Sequence, residues 1–109
     1  MDAPAFSPES LTGFAASGAN LMLFTTGPGN SYCSALAPTL KISARPDTVE
    51  RMPHQIDFDG SAILAGSEEP AAAGARLFEL MRRVASGERS WGEILGEGDE
   101  TLVRIGGSL

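Results

Sequence analysis

The feature that most constrains this chain is an apolar run that passes directly into a polar turn containing glycine. Residues Leu21–Phe24 are all apolar, and the next seven residues, Thr25–Ser31, include two threonines, two glycines and a proline. A short apolar run bounded by turn residues is typical of a buried β-strand. In open α/β sheets, ligands bind outside the carboxyl ends of the strands. The sequence therefore predicts that any ligand site lies at this turn.

The bulk composition limits the chain to one small domain. With 109 residues, of which 42% are hydrophobic and 20% charged, it has the make-up of a single globular domain. A net charge of -6 argues against nucleic acid and against an anionic membrane surface as partners. No apolar stretch approaches the ~20 residues that a membrane helix needs, and the first residues lack a signal-peptide pattern. A single cysteine excludes an internal disulfide, so we expect a cytoplasmic protein.

Helix-type and strand-type patterns alternate along the chain, which predicts an α/β fold. We expect a small layered domain with a mostly parallel, short-stranded sheet, flanking helices, and a place within a larger fold. Strands are predicted at Leu21–Phe24, Thr39–Ser43 and Ile56–Gly60, a short strand or packed linker at Ala62–Ala65, and a last apolar alternation at Thr101–Ile105. Helices are predicted from Ser7 to Gly18, Pro46 to Met52, Ser67 to Ser86 and Ser90 to Leu95. So thin a sheet leaves edges that another part of a larger protein would cover.

The turn at Thr25–Ser31 is the strongest candidate site. A turn rich in backbone N–H groups and hydroxyls can hold a carboxylate or a phosphate. It does not have the spacing of a phosphate-binding P-loop, because no Gly-Lys-Ser/Thr follows it. The alternative is an ordinary loop at the end of a strand.

The other polar candidates favour structural interpretations. A lone cysteine such as Cys33 is usually a small buried hydrophobe, and His54 is expected at the surface, so the two do not predict a metal site. Asp57 and Asp59 would share one face of a strand and could bind a cation or do acid–base work. A solvated strand face that runs into an Asp-Gly turn is the simpler interpretation. The sequence contains no complete catalytic set, metal cluster or cofactor fingerprint.

An ordered series of short motifs resembles one known family. The motifs occupy residues 1–4, 10–13, 18–21, 24–27, 38–42, 51–52, 56–59 and 85–88. Together they resemble the C-terminal region of the altronate/galactarate dehydratase family over essentially the whole chain. The most specific parts are Phe-Thr-Thr-Gly at residues 24–27 and Ala-Ser-Gly-Glu at residues 85–88.

The resemblance implies a carbohydrate-acid lyase, in most members a hydro-lyase that removes water from a sugar acid to give a 2-keto-3-deoxy acid. A related branch eliminates sulfite from sulfolactate. A base takes the proton α to the carboxylate, a divalent metal (iron in the family) stabilises the enediolate, and an acid assists the leaving group. The resemblance also implies that residues 1–109 are one C-terminal domain, inactive alone. Upstream domains or a partner subunit would then carry the metal ligands, the catalytic residues remain unassigned, and a homo-oligomer is possible.

The resemblance also assigns candidate site residues. Substrate carboxylate or hydroxyl groups would meet Thr25, Thr26, Gly27, Gly29, Asn30 and Ser31, with Asp2 nearby. The family pattern Thr-Thr-Gly-Arg-Gly has an arginine where this chain has Pro28, which removes a bidentate carboxylate clamp. This departure predicts a different hydroxy acid as substrate, or loss of activity. Three alternatives stay open: a non-catalytic binding or assembly subunit, a sulfolactate sulfo-lyase-like subunit, and a structural domain without a site.

Overall fold

A computed structural model describes residues 6–99, in which three short strands form one parallel sheet with helices around it. The predicted α/β fold with a mostly parallel, short-stranded sheet is confirmed. Two earlier predictions, the strand at Thr101–Ile105 and the site residue Asp2, lie outside the described residues. None of the described helices is both long and apolar enough to cross a membrane.

The sheet has the strand order β1-β2-β3, and both neighbouring pairs are parallel. The strands are β1 (Met22–Thr25), β2 (Thr39–Ser43) and β3 (Phe58–Asp59). The helices are α1 (Ser7–Ala16), α2 (Pro46–Arg51), α3 (Ser61–Leu64), α4 (Pro70–Ala85) and α5 (Trp91–Leu95). In the register, Thr25 lies opposite Ile42, and Ile42 in turn lies opposite Phe58. The carboxyl ends of the strands therefore meet at one edge of the sheet.

The connection between β1 and β2 is irregular along its whole length. Parallel strands need a crossover that returns the chain to the starting edge, and a helix usually makes it. Here residues 26–38 make the crossover without a helix. Two of its side chains, Tyr32 and Ala37, are buried against Leu11 of α1 and Met22 of β1. The loop that begins with the candidate site thus ends as part of the core.

The amino termini of two helices differ from prediction. The Ser-Pro-Glu pattern at residues 7–9 predicts Ser7 as the N-cap residue of α1. Phe6 is the N-cap residue instead, and the Ser7 hydroxyl accepts a hydrogen bond from the Asn30 side chain. Helix α4 begins at Pro70 instead of Ser67, because proline suits the first helical turn, where its missing N–H is not needed. The Ser67 hydroxyl donates to the carbonyl of Ala62 instead of capping α4.

The segment at Ala62–Ala65 forms a helix, so the prediction of a short strand or linker is wrong. Helix α3 starts directly after Gly60, and the Asp59 carboxylate accepts a hydrogen bond from the N–H of Ser61 at 2.8 Å. An acidic side chain that accepts from an early helical N–H stabilises a helix start. The same Asp-Gly pair shortens the predicted strand at Ile56–Gly60 to the two residues of β3.

The end of the described chain follows the predicted pattern closely. Ser90 and Glu93 form the predicted capping box of α5, and Gly96 ends the helix in a left-handed conformation with φ of 68°. The helical spacing of apolar residues in α4 predicts a stripe that includes Phe78 and packs against the core. Ala73 and Val84 of this helix are buried, but Phe78 is 66% exposed, so this part of the stripe does not pack as predicted.

Candidate functional site

A cavity of about 320 Å³ opens where β1 and β2 end. Its walls are Thr25, Thr26, Gly27, Ile42, Ala44 and Arg45. The backbone N–H of Thr26 donates to the carbonyl of Ile42 at 2.9 Å, which extends the strand pairing to the mouth of the cavity. The cavity thus brings two threonines and one arginine together at the edge where parallel sheets usually bind ligands.

Helix α2 fixes the shape of the turn from below. The fully buried hydroxyl of Thr48 donates to the carbonyl of Gly27 at 2.7 Å. The hydroxyl oxygen of Thr26 accepts from the N–H of Gly29 at 3.1 Å, which closes a tight turn. Gly29 has a φ of 93°, and a Cβ placed on it would overlap the Sδ atom of Met52. Glycine is therefore required at position 29 by both its backbone conformation and its packing.

The structure divides the predicted site residues into two groups. Thr25, Thr26 and Gly27 line the cavity, whereas Gly29, Asn30 and Ser31 are not among its walls. The Asn30 side chain accepts from the N–H of Tyr32 at 2.8 Å and donates to the hydroxyl of Ser7 at 3.3 Å. The Ser31 carbonyl accepts from the ammonium of Lys41 at 3.1 Å. The second group holds the turn in place, and substrate contact by any of these residues remains a prediction.

Two guanidinium groups flank the turn, and neither of them was predicted from the sequence as part of the site. Arg45 donates twice to the carboxylate of Asp47, at 2.9 and 3.2 Å, and holds the pKa of that carboxyl below its usual range. Arg51 donates to the carbonyl of Pro28 at 3.3 Å. Arg45 and Arg51 lie 14 and 20 residues beyond Ser31 in sequence, so only the folding of α2 against the turn reveals them. The chain that lacks an arginine at position 28 therefore still has cations at this loop.

A buried ion pair supports the far end of the turn. The side chain of Lys41 is 0% exposed, and its Nζ atom lies 2.5 Å from Oε2 of Glu97, whose side chain is 16% exposed. Gln55 donates to the other carboxylate oxygen of Glu97 at 3.1 Å. The only sequence signal for this cluster was a lysine inside a strand that is otherwise buried. Its acidic partner could not be found from spacing, because Glu97 is distant in sequence.

The two aspartates that share a sequence pattern have separate structural roles. Asp57 accepts backbone N–H groups from Lys41 and Trp91, each at 2.8 Å. Burial raises the pKa of Asp57, and these two N–H groups oppose the increase. Asp59 instead accepts the N–H that starts α3. The interpretation that the pair serves structure and not catalysis fits both sets of contacts.

Cys33 and His54 also take the structural roles expected of them. Cys33 is 1% exposed and its thiol contacts the carbonyl of Glu97 at 2.8 Å; burial raises the pKa of the thiol. His54 is exposed, with its ring 4.7 Å from that of Trp91. Within residues 6–99, no three His, Cys, Asp or Glu side chains come together as metal ligands would. The described residues therefore do not fit a divalent metal.

Comparison with known proteins places these features in one family context. The family model described as D-galactarate/altronate dehydratase, C-terminal, matches residues 1–108. The β subunit of (2R)-sulfolactate sulfo-lyase from Chromohalobacter salexigens is 35% identical over 105 residues, which is 96% of this chain and 27% of the relative. Galactarate dehydratase (L-threo-forming) from Escherichia coli K12 is 32% identical over 68% of this chain and 14% of the relative.

A third relative extends the comparison. Altronate dehydratase from Bacillus subtilis is 28% identical over 81% of this chain and 18% of the relative. The chain thus spans about a quarter or less of the length of each of these three relatives.

Proposed function

The chain belongs to the D-galactarate/altronate dehydratase family, whose C-terminal domain it matches, and we propose that it serves a lyase that acts on a carboxylate-bearing hydroxy acid. The reaction class is β-elimination: a base takes the proton α to the carboxylate, the electron pair of that C–H bond forms a carbon–carbon double bond, and a group on the neighbouring carbon leaves with its bonding electrons. The enol that results takes up a proton to become the 2-keto acid. Water would be the leaving group in a dehydratase. In this proposal the 109 residues form one part of the active protein.

The observation that carries this proposal is the cavity at the ends of β1 and β2. Thr25, Thr26 and Arg45 are among its walls. Hydroxyl and guanidinium N–H groups are donors for carboxylate and hydroxyl oxygens. The role that this chain would play is to bind and orient the acid group of the substrate while chemistry proceeds at the neighbouring carbons.

The proton-transfer residues are proposed to lie outside residues 6–99. Of the buried ionisable groups, Asp57 accepts two backbone N–H groups and Lys41 is paired with Glu97. Each of these groups is committed to holding the fold. We further propose that upstream domains or a partner subunit supply the divalent metal that the family resemblance implies. A cytoplasmic location is also proposed.

A sulfo-lyase subunit is the second candidate function. It is favoured by the 35% identity to a (2R)-sulfolactate sulfo-lyase β subunit, which covers 96% of this chain. Sulfite would then replace water as the leaving group, and a second polypeptide would complete the site. The same comparison supports the alternative of a non-catalytic assembly subunit, because that relative is named as one subunit.

The test uses the intact protein that carries this chain, assayed with galactarate, altronate and sulfolactate in parallel. Formation of a 2-keto acid without sulfite supports the dehydratase, and stoichiometric sulfite release supports the sulfo-lyase. The paired variant Thr25→Val/Thr26→Val should raise KM for the active substrate about tenfold or more, because two donors are lost. Turnover of none of the three acids, in a folded protein supplied with divalent metal, would refute the proposal.

A further inference from the structure

We infer that Arg45 is the residue that binds the anionic group of the ligand at this cavity, and that Asp47 occupies its guanidinium until the ligand arrives. The inference deepens the proposed function and rests on it for the identity of the ligand. The ligand class is a hydroxy acid that carries a carboxylate or a sulfonate. Both groups present two oxygens to a guanidinium fork.

The position of Arg45 supports this assignment. It directly precedes α2 at the carboxyl end of β2, and its side chain lies along the turn: a Cβ placed on Gly27 would lie 3.7 Å from its Cδ atom. Arg45 lines the cavity that also contains Thr25 and Thr26. A single bound oxyanion would thus have one cationic fork and two hydroxyl donors at the same end of the sheet.

The ion pair with Asp47 is one that a ligand can replace. Both side chains are 56% exposed, and exposed pairs contribute only about 0–1 kcal/mol to stability. Asp47 lies only two residues from Arg45, so this ion pair does not connect Arg45 to a distant element of the fold. The other guanidinium at the turn, Arg51, contacts the Pro28 carbonyl and is not a wall of the cavity. These contacts single out Arg45 over Arg51 as the ligand-binding cation.

Titration of the 109-residue chain with galactarate and with sulfolactate tests the inference. Backbone amide shifts of Thr26, Gly27 and Ala44 would report binding, which we expect in the millimolar range. Arg45→Gln should weaken binding about tenfold, because a charged hydrogen-bonding partner is lost. Arg45→Lys, which keeps the charge without the fork, should give an intermediate affinity.

Two further variants make the result specific. Arg82→Gln removes the same charge from an exposed ion pair on α4 and should leave the dissociation constant within about twofold of the wild type. Asp47→Asn removes the competing carboxylate and should tighten binding about threefold. Melting temperatures within about 2 °C of the wild type would show that the variants remain folded.

The inference is overturned if the Arg45→Gln and Arg82→Gln variants bind the acids with equal affinity. It is also overturned if neither acid, at a concentration of about 50 mM, shifts the amide signals of Thr26, Gly27 and Ala44. Its failure is distinguishable from failure of the proposed function. If the intact protein turns over a substrate and Arg45→Gln leaves its KM unchanged, only the proposed role of Arg45 is refuted. If the acids bind through Arg45 but none of them is turned over, only the proposed reaction is refuted.

Discussion

At the scale of single residues, Asp57 shows how burial and hydrogen bonding oppose each other. Its carboxylate bridges β2 and α5 by accepting the N–H groups of Lys41 and Trp91. These bonds favour the charged form, whereas removal from water favours the neutral form and is the larger effect, so the pKa is raised. A group that joins two elements can therefore still reduce stability when it ionises.

This balance predicts a pH dependence of stability. With a folded-state pKa above the unfolded one, the folded protein binds more protons, so the contribution of Asp57 is fully present below the unfolded-state pKa of about 3.9. It is lost as the pH rises through the folded-state pKa. Asp57→Asn should lower the free energy of unfolding by about 1–3 kcal/mol, because its amide places a donor against a backbone N–H. The difference from the wild type should shrink as the pH rises.

Urea denaturation at a series of pH values from about 3.5 to 7 measures this difference. Asp59→Asn is the matched control, because it replaces an exposed carboxylate two residues away. In Asp59→Asn the free energy of unfolding should still show the decrease with rising pH that Asp57 contributes. A difference between wild type and Asp57→Asn that grows with pH would contradict the assignment of burial as the larger effect.

At the scale of elements, the packing of the site turn on α2 depends on Gly29. Its φ of 93° and its contact with Met52 both exclude a side chain. Gly29→Ala should destabilise the protein by about 2–5 kcal/mol, since left-handed strain costs about 1–2 kcal/mol and overpacking about 1–3 kcal/mol. Gly87→Ala provides the control, because Gly87 has a φ of 110° with open space around it and would incur the backbone cost alone.

Thermal unfolding of the two alanine variants, with Gly29→Ala/Met52→Ala as a third, separates strain from overpacking. The double variant should lose the steric part of the cost, although it also removes the Met52 side chain. Equal destabilisation by Gly29→Ala and Gly87→Ala would show that α2 does not pack against the turn as described.

Local patterns predicted those elements whose signals lie within a few residues. The capping box at Ser90 and the β-prone run at Thr39–Ser43 gave α5 and β2 with the right bounds. Helix α3 was missed because its four residues are too few to display a helical period, and the Asp59 side chain that starts it also fits a turn. The pairing of Glu97 with Lys41 and the position of Arg45 beside the turn could not be predicted, because residues distant in sequence produce no local pattern.

At the scale of the whole molecule, the Lys41–Glu97 pair connects the sheet to the chain that follows α5. Removal of one partner of a buried pair costs about 3–5 kcal/mol. Because Glu97 is 16% exposed, we expect Lys41→Met to cost about 3 kcal/mol, near the lower limit. The double variant Lys41→Met/Glu97→Met should be more stable than Lys41→Met, since it leaves no unpaired charge.

Chemical denaturation of both single variants and of the double variant gives the coupling energy between the two side chains. Glu79→Gln is the control for an exposed ion pair, and it should cost less than about 1 kcal/mol. Strictly additive effects of the Lys41 and Glu97 substitutions would mean that the two charges do not depend on each other.

The crossover between β1 and β2 limits how this domain can diverge. In most parallel pairs a helix makes the return, and a loop at the strand end can lengthen or shorten without disturbing it. Here residues 26–38 provide both the cavity wall and the buried Tyr32. An insertion or deletion in this segment would move a core side chain together with the cavity-lining ones. We therefore expect sequence change at this cavity to come from substitutions, and from residues that other elements bring to the same edge.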